Sequence, residues 1–182
     1  MLVVLTALVV GVAIGYSSGG RLRNLERIAL TRPWLVLAAL GMQVVAFSPL
    51  GAALPPTTAV VLHFASYGLL VWFVVLNRRR LGVLIAGLGM GLNLMAITAN
   101  GGFMPASRAA LDLAGNAYDG QALNNSAVID AGTRLSYLGD IFAVPSWVPA
   151  ANVFSLGDAL IVAGIAVILV VSMRIPRAAI EA

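Results

Sequence analysis

Five strongly apolar stretches, at about residues 1–18, 33–51, 57–77, 81–100 and 156–173, the last with Asp158 as its one charged residue, limit what this chain can become. Each approaches the ~20 residues that a helix needs to cross a hydrocarbon core about 30 Å thick. A bilayer offers backbone amides no water, so such a stretch must satisfy its own N–H and C=O groups, as a helix does. Composition agrees. Of 182 residues, 60% are hydrophobic and 10% charged, against about 25% charged in a typical soluble domain. The expected fold is an all-α integral membrane protein, one membrane domain over residues 1–182 with five transmembrane helices. The first stretch lacks the basic start and small-x-small cleavage site of a secretory leader and is read as a retained helix.

Arginine position orients the helices. Arg21, Arg23, Arg27 and Arg32 follow the first stretch, Arg78, Arg79 and Arg80 the third, and Arg174 and Arg177 the fifth. With five spans these clusters share one side, and short cytoplasmic loops collect Arg and Lys. The expectation is a multi-pass protein of the bacterial cytoplasmic membrane, N-terminus outside and C-terminus cytoplasmic. The net charge of +4 reflects only seven acids, so no nucleic-acid partner is expected. With no cysteine and one histidine, disulfides, thiolate chemistry, a metal site and a cofactor are not expected either.

Residues 101–155 then form a long extracytoplasmic segment between helices 4 and 5. It holds Asp112, Asp119, Asp130 and Asp140, with Asp158 just inside the next helix. One or two short surface helices are expected there, a tight hairpin turn at Pro49–Pro56, and an interfacial amphipathic helix over Arg21–Arg32. Gly11, Gly15 and Gly19, and Gly87 and Gly91, follow the small-xxx-small spacing of close helix contacts. They suit packing within the chain, with a homo-oligomer as the alternative.

Chemistry points to a repeated phrase, Leu138-Gly139-Asp140 and Leu156-Gly157-Asp158. Ser155 and Asp158 fit the S-x-x-D pattern of a capped helix start. If Asp140 returns to meet Asp158, like charge and poor solvation separate their titrations, and the pair can work as acid and base on a water molecule. The alternative leaves Asp140 a loop acid, solvated or paired with Arg108 or Arg134. Asn100, Gly101 and Gly102, in the run that ends at Pro105, terminate a helix and are a candidate binding loop. His63, about 9 Å inside the third span, is a candidate contact to the aspartates or a neutral interhelical histidine. Gln43 and Asn93, at mid-span, are read as interhelical packing groups.

Leu138-Gly139-Asp140-Ile141-Phe142 and Asn152-Val153-Phe154-Ser155-Leu156-Gly157-Asp158 resemble the two aspartate motifs of lipoprotein signal peptidase (signal peptidase II). Ser155 and Gly157 stand where that family has asparagine and alanine, and Asn125, Asp130 and Arg134 echo its G-N-x-x-D-R element. The resemblance implies that Asp140 and Asp158 are catalytic. Over the whole length the chain resembles a family of small bacterial polytopic membrane proteins of unassigned function, through Gly19–Leu25, Asn100–Pro105 and both Leu-Gly-Asp motifs. The expected function is extracytoplasmic aspartyl hydrolysis of a membrane-held substrate, a lipid or a membrane-anchored polypeptide. Asp140 and Asp158 would be catalytic, and Asn100, Gly101, Gly102, Ser155, His63 and Arg134 would bind substrate. The alternative is a non-enzymatic membrane module: an assembly factor, a lipid-binding protein or a subunit of a larger complex. Membrane lipids are the expected partners in both.

Overall fold

The computed structural model describes residues 2–28, 30–53, 55–116, 126–149 and 151–174. The fold is mostly helical. The five apolar stretches give α1 (Leu2–Ser17), α2 (Trp34–Ala46), α4 (Pro56–Leu76), α5 (Leu81–Ala99) and α7 (Leu156–Arg174), with short helices α3 (Pro49–Ala52) and α6 (Arg108–Leu113) between them. Three helices, Thr57–Leu76, Leu81–Ala99 and Leu156–Arg174, are long and apolar enough to cross a membrane. Leu5–Ser17 and Trp34–Ala46 are shorter apolar helices. The early end of α2 has a local cause. Phe47 leaves helical geometry at φ −106° and ψ 10°, two residues before Pro49, whose ring cannot continue the hydrogen-bond ladder. The turn that follows contains α3, and a side chain at Gly51 would strike the carbonyls of Val45 and Ala46.

α7 is the central helix. On α5, Gly82 faces Gly164 and Ile168, while Gly89 faces Gly157 and Leu160, so the two helices run antiparallel with backbones in close approach. On α1, Gly11 faces Ala166 and Leu169 and Gly15 faces Met173, so α1 runs parallel to α7. Of the small-residue faces expected from sequence, Gly11 and Gly15 pack within the chain, Gly87 meets Val74, and Gly91 meets nothing within 4 Å. The tightest contact uses Gly82, Gly89, Gly157 and Gly164 instead, at seven-residue spacing. α2 pairs with α4, where Gln43 Nε2 donates to Ser66 Oγ at 3.0 Å. Leu35, Phe73 and Val83, with Ile168 against them, join that pair to α5 and α7.

Arginines gather at one end of this bundle. The backbone N–H of Arg21 and Asn24 Nδ2 both donate to Met173 O, at 3.0 and 2.7 Å, tying the chain after α1 to the last turn of α7. Asn77, after α4, exchanges two side-chain hydrogen bonds with the Thr31 backbone, and the Arg32 guanidinium lies 5.9 Å from the centre of the Trp72 ring. The expected interfacial helix over 21–32 is a short 3-10 helix, Leu22–Arg27.

The opposite end carries the segment after α5, which is less helical than an all-α fold requires. Besides α6 it forms two small sheets. β1 (Met104–Ala106) pairs in parallel with β2 (Ser126–Val128), and β3 (Phe142–Val144) pairs antiparallel with β4 (Asn152–Phe154). Gly101 and Gly102 have φ +68° and +98°, a region glycine enters without a Cβ penalty. They turn the chain out of α5 so that Pro105 lies in an extended strand.

Candidate functional site

The start of α7 is built by Ser155 and Asp158. Ser155, fully buried, accepts the Asp158 N–H at its Oγ (2.9 Å), and Asp158 Oδ2 accepts the Ser155 N–H (3.1 Å). This reciprocal pair is a capping box with aspartate in place of glutamate. A third side chain closes it into a ring. Asn93 of α5 donates from Nδ2 to Asp158 Oδ1 at 2.8 Å, and its Oδ1 accepts the Ser155 hydroxyl at 2.8 Å. Gly157 makes room, because a Cβ there would collide with the Asn93 carboxamide and the Gly89 carbonyl. Asn93, expected only to glue helices, is thus a site residue. Its spacing from Gly89, one helical turn, was the signal available in the sequence.

Asp140 reaches the same region from the other side of the hairpin. Phe142 pairs with Phe154, Ala143 with Val153 and Val144 with Asn152, and the Phe142 and Phe154 rings stack at 5.5 Å. Closing β3 on β4 returns the chain from the first Leu-Gly-Asp motif to the second. Asp140 is also bridged to β1: its N–H donates to Pro105 O at 2.7 Å, and its carbonyl accepts the Ser107 N–H at 3.0 Å. Gly139 permits the approach, since a Cβ would meet Pro105 O. Burial, then the charge of Asp158, push the Asp140 carboxyl up to about 7.

The Asn100–Pro105 run positions this loop. Asn100 Nδ2 donates to Ala96 O (2.8 Å) and Arg134 O (2.7 Å), and Asn100 Oδ1 accepts the Arg134 N–H (2.9 Å). The side chain so copies a strand partner, and Pro105 supplies the next contact, to Asp140. Gly101 is exposed and Gly102 half-buried at the turn; Arg134 is exposed. Asp130 lies apart, fully exposed, its Oδ1 accepting from Gly132 N–H and the Thr133 hydroxyl. The Thr133 bond is the main reason its carboxyl sits below the usual range. Asp112 is exposed on α6. Asp119, Asn125 and Arg177 lie outside the described residues.

His63 and Tyr67 occupy successive turns of α4, each 8% exposed. The His63 ring meets Phe47 edge-on at 4.9 Å and Tyr67 at 5.2 Å. Its Nδ1 is a buried atom without a hydrogen-bond partner among the described residues. The Tyr67 phenol lies within electrostatic reach of both Asp140 and Asp158. No group of three or more His, Asp or Glu that could hold a metal occurs among the described residues.

Chemically, Asp140 has a carboxyl raised to about 7, and across the β3–β4 hairpin from it the Asp158 carboxyl accepts two N–H bonds and retains further lone pairs. These features define a class: a mostly helical protein with membrane-length apolar helices and, at the end of the bundle opposite the Arg21–Arg32 and Arg78–Arg80 clusters, the segment that carries Asp140. The chain belongs to a family of unknown function (DUF5317), whose model matches residues 27–170, a range that contains Tyr67, Asn93, Asn100, Asp140, Ser155 and Asp158. No curated protein and no solved structure matches the chain, so the likeness to signal peptidase II rests on the short motifs alone.

Proposed function

We propose that the protein is a five-span protein of the bacterial cytoplasmic membrane, N-terminus outside, whose outer end hydrolyses a membrane-held substrate through Asp140 and Asp158. Asp140 acts as the acid and Asp158 as the base toward one water molecule. What supports this reading is the β3–β4 hairpin, which returns the chain from Asp140 toward the start of α7, together with the partial burial of Asp140 and the charge of Asp158, which raise the Asp140 carboxyl to about 7, where a general acid is most effective. The substrate is a lipid or membrane-anchored polypeptide, because the site begins at the first turn of an apolar helix. Asn100 and Ser155 serve by positioning the two aspartates. Gly101, Gly102, Arg134 and His63 line the approaches rather than the reacting centre.

The test uses full-length protein in lipid nanodiscs, incubated in ¹⁸O-labelled water with membranes from cells lacking it. Wild type is expected to yield products carrying ¹⁸O in a new carboxyl group. Asp140→Asn and Asp158→Asn should each reduce them at least ~100-fold. Absence of labelled product with wild type, or unchanged product with both variants, defeats the reading. One observation favours a second reading: the four-bond ring of Ser155, Asp158 and Asn93 closes among the chain's own groups. On that reading the cluster is a polar clamp in a non-enzymatic membrane module, and a stoichiometric partner would co-purify with wild type and both variants alike.

A further inference from the structure

Tyr67 packs in the buried cluster that includes Met104 and Leu138 of the first aspartate motif, and Ile161 packs against that cluster. Leu138 is two residues ahead of Asp140, Met104 adjoins the Pro105 that holds Asp140, and Ile161 is one turn beyond Asp158. The edge contact from His63 at 5.2 Å fixes the plane of the ring. Among the described residues no hydrogen bond reaches the Tyr67 hydroxyl, and two carboxyls lie within its electrostatic reach. The ring is held by packing, and its hydroxyl offers a donor proton within electrostatic reach of both carboxyls.

We infer that Tyr67 is the hydrogen-bond donor for the carbonyl oxygen of an acyl substrate, an amide or ester, held between Asp140 and Asp158. This rests on the hydrolase reading above and names its substrate class. Water oxygen bonds to the carbonyl carbon and gives its proton to the Asp158 carboxylate. The carbonyl oxygen receives the displaced π pair and takes the proton of Asp140, giving a gem-diol. On collapse, one hydroxyl proton returns to Asp140 and the C=O re-forms. The bond to nitrogen or oxygen breaks, and the proton on Asp158 leaves with the amine or alcohol. The Tyr67 O–H stays intact, donating to the oxygen on which charge develops, as a preorganised donor does.

The probe is a long-chain α,α-difluoroketone, which hydrates to a gem-diol, compared with its difluoromethylene analogue, which cannot. Binding to full-length protein in nanodiscs is read by ¹⁹F NMR. Wild type is expected to prefer the ketone, and Tyr67→Phe to lose about 10-fold in ketone affinity while holding the analogue as before. If Tyr67→Phe binds the ketone like wild type, or loses both probes equally, Tyr67 is not the donor. In that case weakened ketone binding by Asp140→Asn and Asp158→Asn still upholds the hydrolase reading. Should wild type not prefer the ketone, or both asparagine variants bind it unchanged, that reading falls and this inference with it.

Discussion

Two residues at the site bear most of its constraint. Gly157 sits where any side chain would strike Asn93 and the Gly89 backbone. Gly157→Ala should therefore cost about 1–3 kcal/mol by overpacking, seen as a lower midpoint of thermal unfolding in detergent, and should split the Asn93–Asp158 hydrogen bond. Asp140 gives a pH signature. Its carboxyl is raised from 3.8 to about 7 in the fold, so between these values the folded state binds more protons than the unfolded one. Stability from this group thus falls as pH rises from about 4 to about 7 and stays lowered above that. Asp140→Asn should remove the penalty, raising the unfolding midpoint at pH 8 and leaving it unchanged at pH 3.5. A variant no more stable at pH 8 than wild type would show that Asp140 is not buried in this way.

At the scale of elements, the site is a product of strand pairing imposed on the end of a helical bundle. The β3–β4 hairpin returns the chain to α7, the Asn100 carboxamide pins residue 134, and Asp140 is bridged to β1. Leu135, at φ +50°, makes the turn into the intervening segment at a cost that these contacts must offset. Asn100→Ala should remove the bonds to Arg134 and Ala96 while leaving α5 helical. The expected result is faster amide hydrogen exchange over residues 134–141, with α7 unaffected, and a shift of the Asp140 titration toward the ordinary carboxylate range. Unchanged exchange there would mean that the Pro105 bridge alone holds the loop. These contacts unite two motifs that sequence reading treated separately, one as a helix terminator and one as an acid, because hydrogen bonds between residues 34 positions apart leave no periodic trace.

For the whole molecule, the Arg21–Arg32 and Arg78–Arg80 clusters and the segment carrying Asp140 lie at opposite ends of the bundle, so orientation can be measured directly. The chain has no cysteine, which leaves single-cysteine variants free of background. Ser146→Cys should react with a membrane-impermeant maleimide added to intact cells, and Arg79→Cys only after permeabilisation. The opposite pattern would invert the orientation proposed from the arginines, and labelling of both in intact cells would show that α5 does not cross. The lengths of α1 and α2 matter at this scale too. The 13 residues of α2 rise about 20 Å, less than an average hydrocarbon core, so a crossing there requires local thinning or flanking residues that reach the interface.

The sequence by itself determined where the helices lie, which end collects arginine, and that Ser155 would cap the helix carrying Asp158. Those properties come from hydropathy, charge and hydrogen bonds a few residues apart. It did not determine that Gly82 and Gly89 would meet Gly164 and Gly157, that Asn93 would reach Asp158, or that Tyr67 would share a buried cluster with Met104 and Leu138. Those arrangements depend on how close two helix backbones come and on the register of a three-residue hairpin. Both are set by packing among segments distant along the chain, which only the tertiary structure decides.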